Sequence, residues 1–422
     1  MRVLFISANR EEINMPTLPW GLACVAAATK HTGHDVRLID LMHEMDARSA
    51  IHSRIEELQP DIIGVSVRNI DDQASENPKF LLDEAKEVVA LCKGLSKAPV
   101  VLGGAGYSIF PDSALSYLGA DMGIQGEGES AFPALLEHIQ DGRSLSGLPG
   151  LYLPELGLQA TRRYVRDLDD LPLPDVELLS VPKDNKLWIP FQTRRGCPMA
   201  CSYCSTPAIE GRILRQRSPE KVVQGLAHYA EAGFNRVFFV DNTFNLPASY
   251  AGKLCAEIAQ ADLGLVWRSI VYPMKLNPAL AAQMAAAGCN EVSVGSESGC
   301  EGILQGMNKR FTPEEVRETC RILAGNGIRR MGFLMLGAPG ETKASVEESL
   351  VFADSLDLEA VRITVGIRIY PNTQLAKIAV QEGIISAEKD LLFPRFYIAR
   401  GLEGWLRQTV RAWAAQRPNW IV

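Results

Sequence analysis

Short runs rich in Val, Ile, Leu and Phe alternate with helical stretches along most of this chain, and that alternation limits its fold more than any other feature. Before residue 141 the predicted strands are Arg2–Ser7, Asp35–Asp40, Ile62–Val67, Val100–Leu102 and Met122–Ile124. Helices are predicted near 20–32, 47–58, 77–95, 112–118 and 130–140. Strand–helix–strand alternation of this kind builds a doubly wound parallel sheet. Such sheets take ligands at the carboxyl ends of their strands. Here those ends read Ser66-Val-Arg-Asn, Gly103-Gly-Ala-Gly-Tyr-Ser and Gly126-Glu-Gly-Glu.

Residues 142–188 read as an irregular linker. Pro149, Pro154, Pro172, Pro174 and Pro182 interrupt it, and Asp167-Leu-Asp-Asp adds a short acidic run. The alternation then resumes at a longer period. Strands are predicted at 189–193, Arg236–Asp241, Leu265–Ile270, Glu291–Gly295, Met331–Leu336 and Val361–Ile369. Ser218-Pro219 reads as an N-cap with proline at the first helical position. Thr312-Pro-Glu-Glu315 reads as a capping box. Six strand–helix units make three quarters of a (β/α)8 barrel. The expected α/β architecture is therefore a Rossmann-like domain over 1–141, the linker, a partial (β/α)6 TIM-type barrel over 189–385 and a C-terminal extension over 386–422. A helix near 401–415 carries Trp405 and Trp413. Its charge is mixed, so it reads as a cap on the barrel rather than a membrane-surface helix.

Composition excludes several classes. The net charge of −7 leaves no basic footprint for nucleic acid. No run of about 20 apolar residues is available to span a membrane. The N-terminal apolar run is short and lacks a cleavage site, so it reads as a strand rather than a signal peptide. Of nine cysteines, six are scattered singly, which fits a reducing cytoplasm.

The other three stand together after the first barrel strand. Thr193-Arg-Arg-Gly-Cys-Pro-Met-Ala-Cys-Ser-Tyr-Cys places Cys197, Cys201 and Cys204 in a C-x3-C-x2-C pattern. Soft thiolates at this density suit zinc or an iron–sulfur cluster. Structural zinc needs four closed ligands, and His228 and Cys255 lie well beyond the loop. Three thiolates on a four-iron cluster leave one iron open to a small molecule. Barrel enzymes place chemistry at strand carboxyl ends. There the chain carries Asp241-Asn-Thr-Phe, Gly295-Ser-Glu-Ser-Gly, Gly332-Phe-Leu-Met-Leu-Gly-Ala-Pro-Gly-Glu and Tyr370-Pro-Asn-Thr.

The cysteine spacing, Tyr203 and these strand ends resemble the radical S-adenosyl-L-methionine (radical SAM) superfamily. The resemblance implies a 4Fe-4S cluster on Cys197, Cys201 and Cys204. It also implies S-adenosyl-L-methionine (SAM) on the open iron, cleaved to methionine and a 5′-deoxyadenosyl radical by one electron. Tyr203 would line that site. Asp241 and Thr243 would contact the amino end of SAM. Arg268 or Ser269, with Ser296 and Glu297, would contact its ribose or carboxylate. Met335 to Gly337 would lie near adenine, and Lys309-Arg310 near the carboxylate unless they are merely solvated.

Pro19-Trp-Gly-Leu-Ala, Gly103-Gly-Ala-Gly-Tyr-Ser-Ile-Phe-Pro and Ala120-Asp-Met-Gly-Ile-Gln-Gly-Glu-Gly-Glu resemble the cobalamin-binding domain fused to many radical SAM enzymes. The implied cobalamin contacts are Ser66, Arg68, Asn69, Gly103, Gly104, Gly106, Gly126, Glu127 and Gly128. The loop Ser7-Ala-Asn-Arg-Glu-Glu has no histidine, and His43 reads as an ordinary loop residue. Cobalt would then lack a histidine ligand, with Arg68 facing the lower corrin face or paired with Asp71 or Asp72.

The function implied is cobalamin-dependent methylation of an unactivated carbon. A non-methylating ring formation, rearrangement or oxidative cyclisation with the same cofactors is the alternative. A redox or cobalamin sensor without turnover is a third. The short extension favours a small or medium metabolite, with Phe393, Phe396, Tyr397 and Trp405 as candidate lining unless they pack the core. The implied partner is an external electron donor of flavodoxin or ferredoxin type.

Overall fold

The computed structural model describes residues 1–11, 18–179 and 187–422. Glu12, at the end of the first-strand loop, and Pro182 of the linker lie outside the described residues. The chain forms two compact units. The first comprises Met1–Asp72, Pro78–Leu187 and Ser205–Gly211; the second comprises Gln73–Asn77, Trp188–Cys204 and Arg212–Val422.

The first unit runs β1 (Arg2–Ser7), α1 (Trp20–His31), β2 (Asp35–Asp40), α2 (Ala47–Leu58), β3 (Ile62–Ser66), α3 (Leu82–Leu95) and β4 (Val100–Gly103). It continues through α4 (Ala105–Ile109), α5 (Pro111–Leu118), β5 (Met122–Ile124), α6 (Gly128–Gln140), β6 (Leu151–Leu153) and β7 (Gly157–Leu158). The sheet order is β2-β1-β3-β4-β5-β6-β7. The first five strands are parallel, and β6 and β7 join antiparallel. The order reverses between β1 and β3, the topological switch point where open α/β sheets bind ligands. Phe5, Ile62, Val101 and Phe132 belong to its core, with the Phe5 and Phe132 rings 4.9 Å apart.

Part of the predicted linker is therefore sheet. Its strands are only two or three residues long, too short to show alternation. Pro154 and Glu155 lie in the turn between them, where proline removes no ladder bond. The helix predicted from 77 begins at Leu82. A later helix, α7 (Thr206–Glu210), also belongs to this unit: Arg162 donates to the carbonyls of Pro207 (3.1 Å) and Ala208.

The second unit holds β8 (Ile189–Phe191), β9 (Arg194–Arg195), β10 (Arg215–Gln216), α8 (Pro219–Glu231), β11 (Arg236–Phe239), α9 (Ala248–Ala261), β12 (Val266–Val271) and α10 (Pro278–Ala286). Then come β13 (Cys289–Glu297), α11 (Glu301–Gly306), α12 (Pro313–Gly325), β14 (Arg329–Leu336), α13 (Lys343–Asp354) and β15 (Ala360–Val365). Last are β16 (Ile367–Arg368), α14 (Gln374–Gln381), β17 (Phe396–Tyr397), α15 (Glu403–Ala414) and β18 (Trp420–Ile421). The large sheet is parallel throughout and ordered β18-β15-β14-β13-β12-β11-β8. Sequential strands lie side by side, as in a barrel in which each helix returns the chain to the next strand.

The predicted caps form. The Ser218 hydroxyl accepts from Lys221 N–H at 3.2 Å. Thr312 and Glu315 exchange both capping-box bonds. The predicted sixth strand ends at Val365, because β16 turns away to pair with β17. A seventh parallel strand, β18, follows α15 and was not foreseen. It holds Trp420, which stacks on Trp413 at 5.9 Å with Arg417 against both rings. Among the described residues no helix is long and apolar enough to cross a membrane.

Candidate functional site

In the second unit the chain leaves β8, forms β9 and reaches Cys197 through Gly196. At φ +86, a Cβ on Gly196 would lie 2.1 Å from the Ile213 carbonyl oxygen, so only glycine fits there. Asp241, just beyond β11, anchors the same segment. Its carboxylate accepts from the N–H groups of Thr193 (2.8 Å) and Arg194 (3.1 Å) and from the Thr193 hydroxyl (2.6 Å). Arg194 Nε stands 3.4 Å away, and its guanidinium covers Tyr250 and Phe244. Arg194 and Asp241 are 1% and 0% exposed, so the pair is closed to any ligand. The expectation that Asp241 meets the amino end of SAM is therefore corrected: its acceptors are occupied by the chain's own donors. Thr243 is also buried, and its carbonyl accepts from Arg194.

The cysteine loop is clamped from two sides. Ser202 N–H donates to Met307 O (3.0 Å), and Ser202 O accepts from Leu375 N–H (2.9 Å). The Asn308 amide donates to Ala200 O at 2.6 Å. Cys197 is buried, while Cys201 and Cys204 are partly exposed. Beside them lies Lys309, which is neither solvated nor at the surface. Its Nζ is 2.9 Å from Glu297 Oε1, with the two side chains 6% and 11% exposed. It also stands over the Tyr203 ring, 5.2 Å from its centre. Burial pushes the Cys201 thiol up, and Lys309 pulls it back down. Burial opposes charge on Lys309, but Glu297, Tyr203 and Cys201 together hold its pKa well above the usual amine range.

Among the described residues, no three His, Cys, Asp or Glu side chains converge as they would on one bare metal ion. A four-iron cluster asks for something else, because each cysteine takes a different iron and the thiols stand apart around the cube. Three thiols on one loop, at the carboxyl end of the first strand of a parallel sheet, fit three corners of such a cluster and leave the fourth open.

The remaining strand-end residues divide by the pleat. Along β12, Trp267, Ser269 and Val271 share one face and Arg268 takes the other. Trp267 donates to Ala287 O just after α10, so its face meets the helices. Ser269 is thus turned to the helix layer and 1% exposed, which corrects its expected contact with SAM. Ser296 is 2% exposed and donates to Phe333 O at 2.7 Å, which corrects the same expectation for it. Arg268 is on the opposite face, over Trp188 (4.4 Å) and Phe238 (4.9 Å) and 3.8 Å from Glu291. Met335, half-buried in β14, pairs in register with Thr364.

Gly337 follows β14 at φ +104. Its N–H and that of Ala338 donate to Glu341, a buried carboxyl that sequence reading passed over. Burial raises its pKa from 4.5 to about 7, against the pull of those two N–H groups. Folding therefore takes up a proton between these values. The resulting stability is full below pH 4.5 and is lost as pH rises through 7. We expect urea unfolding of the parent to lose up to about 3 kcal/mol between pH 4.5 and 8. Glu341→Gln should lack that slope; equal slopes in the two proteins would rule it out.

In the first unit a cleft opens at the carboxyl ends of β1 and β3, at the switch point. Asn9, Ser66, Arg68, Asn69, Leu81 and Glu84 are among its lining. Asn69 donates to Asn9 Oδ1 at 3.2 Å. Arg68 is exposed, and its electrostatic partner is the buried Asp40 rather than Asp71 or Asp72. Among the described residues, no histidine lines the cleft.

The glycine candidates serve mainly as close contacts. Val67 N–H donates to Gly103 O (2.8 Å), and Gly106 N–H donates to Val67 O (3.0 Å). A Cβ on Gly104 would lie 2.5 Å from Val67 O, and one on Gly106 would lie 2.9 Å from Arg68 O. They thus press α4 against the backbone that carries Arg68. Gly126 N–H donates to the Ser108 hydroxyl at 2.9 Å. One expected contact is corrected. Glu127 is 7% exposed and accepts from Val165 N–H (2.8 Å), so its carboxylate faces its own chain. Gly128 lets α6 approach Val25 of α1, where a Cβ would stand at 2.8 Å. Of the aromatic candidates, Tyr397 is buried and donates to Glu382 at 2.8 Å.

The B12 binding domain profile matches residues 6–136, and the radical SAM superfamily profile matches residues 192–353. An uncharacterized methyltransferase of Pyrococcus horikoshii is 29% identical over 91% of this chain and 84% of its own length. An anaerobic magnesium-protoporphyrin IX monomethyl ester cyclase of Rubrivivax gelatinosus is 28% identical over 84% of this chain and 65% of its own length. The structure of a radical SAM methyltransferase from Kitasatospora setae shares the fold, with TM-score 0.86 and 24% identity over 98% of this chain and 89% of that one. The two profile matches give this chain a B12 binding domain and a radical SAM domain, with the 4Fe-4S cluster, SAM and cobalamin that these domains use.

Proposed function

We propose that this chain is a cobalamin-dependent radical SAM methyltransferase that methylates an unactivated carbon of a small or medium metabolite. The observation that carries the reading is one chain with two sites: a three-cysteine loop at the end of β8 and a cleft at the switch point of the first sheet. Likeness to the Pyrococcus methyltransferase over nearly the whole chain supports methylation. Bound together, the cluster with SAM would supply the hydrogen-abstracting radical, and cobalamin the methyl group.

The chain's own part is to hold and shield these groups. Cys197, Cys201 and Cys204 would hold the cluster, with Tyr203 of the same loop beside it. Arg268, Met335 and Gly337 keep the face opposite the helix layer for SAM. Arg68 and Asn69 present a polar edge to cobalamin without giving cobalt a ligand. An external one-electron donor completes the system.

Anaerobic reconstitution with iron, sulfide, cobalamin and SAM, followed by mass spectrometry of the small molecules, tests the reading. Formation of both S-adenosylhomocysteine and 5′-deoxyadenosine, with a gain of one CH2 in the substrate, is expected. A substrate that only loses hydrogens would favour oxidative cyclisation, the reading supported by likeness to the Rubrivivax cyclase.

A further inference from the structure

Two short segments clamp the cysteine loop, and both reach water. On one side the exposed Asn308 donates its amide to Ala200 O at 2.6 Å. On the other, Leu375 in the first turn of α14 donates its N–H to Ser202 O at 2.9 Å, and its neighbour Gln374 is exposed. Ala200 and Ser202 stand on either side of Cys201. On the Asn308 side, one residue thus both meets solvent and bonds the backbone beside a cluster thiol.

Charge is uneven around this clamp. The whole chain has 50 Asp and Glu against 43 Lys and Arg. Yet the loop and its clamps, residues 197–204, 305–311 and 371–381, contain Lys309, Arg310 and Lys377 and no carboxylate. Lys309 is buried on Glu297, while Arg310 and Lys377 are exposed. On α14 the buried positions are Leu375, Ala376 and Ala379, so Lys377 shares the solvent face with Gln374, three residues before it. Arg400, also exposed, donates to Glu382 O at the far end of the same helix. Two carboxylates reach the edges of these segments. Glu301 accepts from the Gln305 amide at 3.3 Å, and Glu388 accepts from Asn372 N–H at 2.7 Å.

Resting on the cluster reading above, we infer that the outer side of the cysteine loop, between Asn308 and the first turn of α14, is the docking face for a small acidic one-electron carrier protein, with Arg310, Lys377 and Arg400 as its cationic rim. Electron transfer weakens steeply with distance, so the carrier must seat where little chain covers the cluster. Acidic groups on the carrier meet the rim, which steers its approach and fixes its orientation. One electron leaves the carrier and one enters the cluster; no bond is made or broken.

The test uses holoenzyme reconstituted anaerobically with iron, sulfide and cobalamin, and flavodoxin as the acidic carrier. Binding is titrated by calorimetry at low and at high salt. The parent should bind more weakly as salt rises. The double variant Arg310→Glu/Lys377→Glu should bind about tenfold more weakly at low salt. Arg48→Glu, at an exposed position on α2, should bind like the parent. Formation of 5′-deoxyadenosine driven by dithionite, which needs no docking face, should match the parent in both variants. Parent binding that ignores salt, or a double variant that binds like the parent, overturns the proposal. So does an equal loss in Arg48→Glu, which would make the attraction a matter of overall charge. If the double variant takes up no cluster, Lys377→Glu alone decides: unchanged affinity overturns the proposal. A parent that holds its cluster but does not bind flavodoxin overturns this inference alone. A parent that takes up no iron and sulfide removes the cluster reading itself, and this inference with it.

Discussion

Cys201→Ala protein, reconstituted anaerobically with iron and sulfide, will hold no stable four-iron cluster and will cleave SAM no faster than a blank. Three thiolates are the whole protein share of the proposed cluster, so losing one leaves two irons without a protein ligand. The loop itself should survive, because Ser202, Ala200 and their partners hold it through backbone groups that the substitution does not touch. Melting close to the parent's is therefore expected alongside the loss of iron. Cys255→Ala is the matched control. Its thiol is fully buried and pushed up to about 12 by burial, so it acts as a small apolar group. That variant should keep both iron and SAM cleavage. Full iron content and normal 5′-deoxyadenosine formation in Cys201→Ala would end the cluster assignment.

Asp241→Ala is expected to be the most damaging single change to stability. It removes the carboxylate paired with Arg194 and the acceptor for two backbone N–H groups and one hydroxyl. Breaking a buried pair from one side costs about 3–5 kcal/mol, because the partner keeps its charge. For a unit of this size each kcal/mol is worth about 2–4 °C in Tm, so melting should fall by roughly 6–20 °C. Asp241→Asn should lie between, since an amide still accepts two bonds. The prediction separates two roles. A SAM contact would raise KM for SAM with little change in melting; a hub that holds the cysteine loop lowers melting and iron retention together.

Much of this protein is readable in its sequence because the information is local. Alternating apolar runs set strands and helices, and β1, β2 and β5 match the predicted residues. The caps at Ser218 and Thr312 follow from side chains only three residues from their N–H donors. The cysteine triplet is a short-range pattern, so it too is visible before any fold is known. Short strands such as β6, β7 and β18 escape because two or three residues carry no period and gain their stability from the sheet they join.

What each polar residue does at a strand end is another matter. The family resemblance implies Asp241, Ser269, Ser296 and Glu127 as cofactor contacts. The structure gives Asp241 to Arg194 and Thr193, Ser296 to Phe333 and Glu127 to Val165, partners between 37 and 48 positions away. The pleat turns Ser269 to the helices, a choice that depends on which face the helices cover. Lys309 is the converse: a residue that sequence leaves undecided between solvent and site becomes a buried donor beside Cys201. The apolar period thus determined the architecture, and the cysteine spacing with the family resemblance implied the cofactor class. Only tertiary packing decided which charges face a ligand and which are neutralised within the chain, since a buried charge must take whichever partner the fold brings within reach.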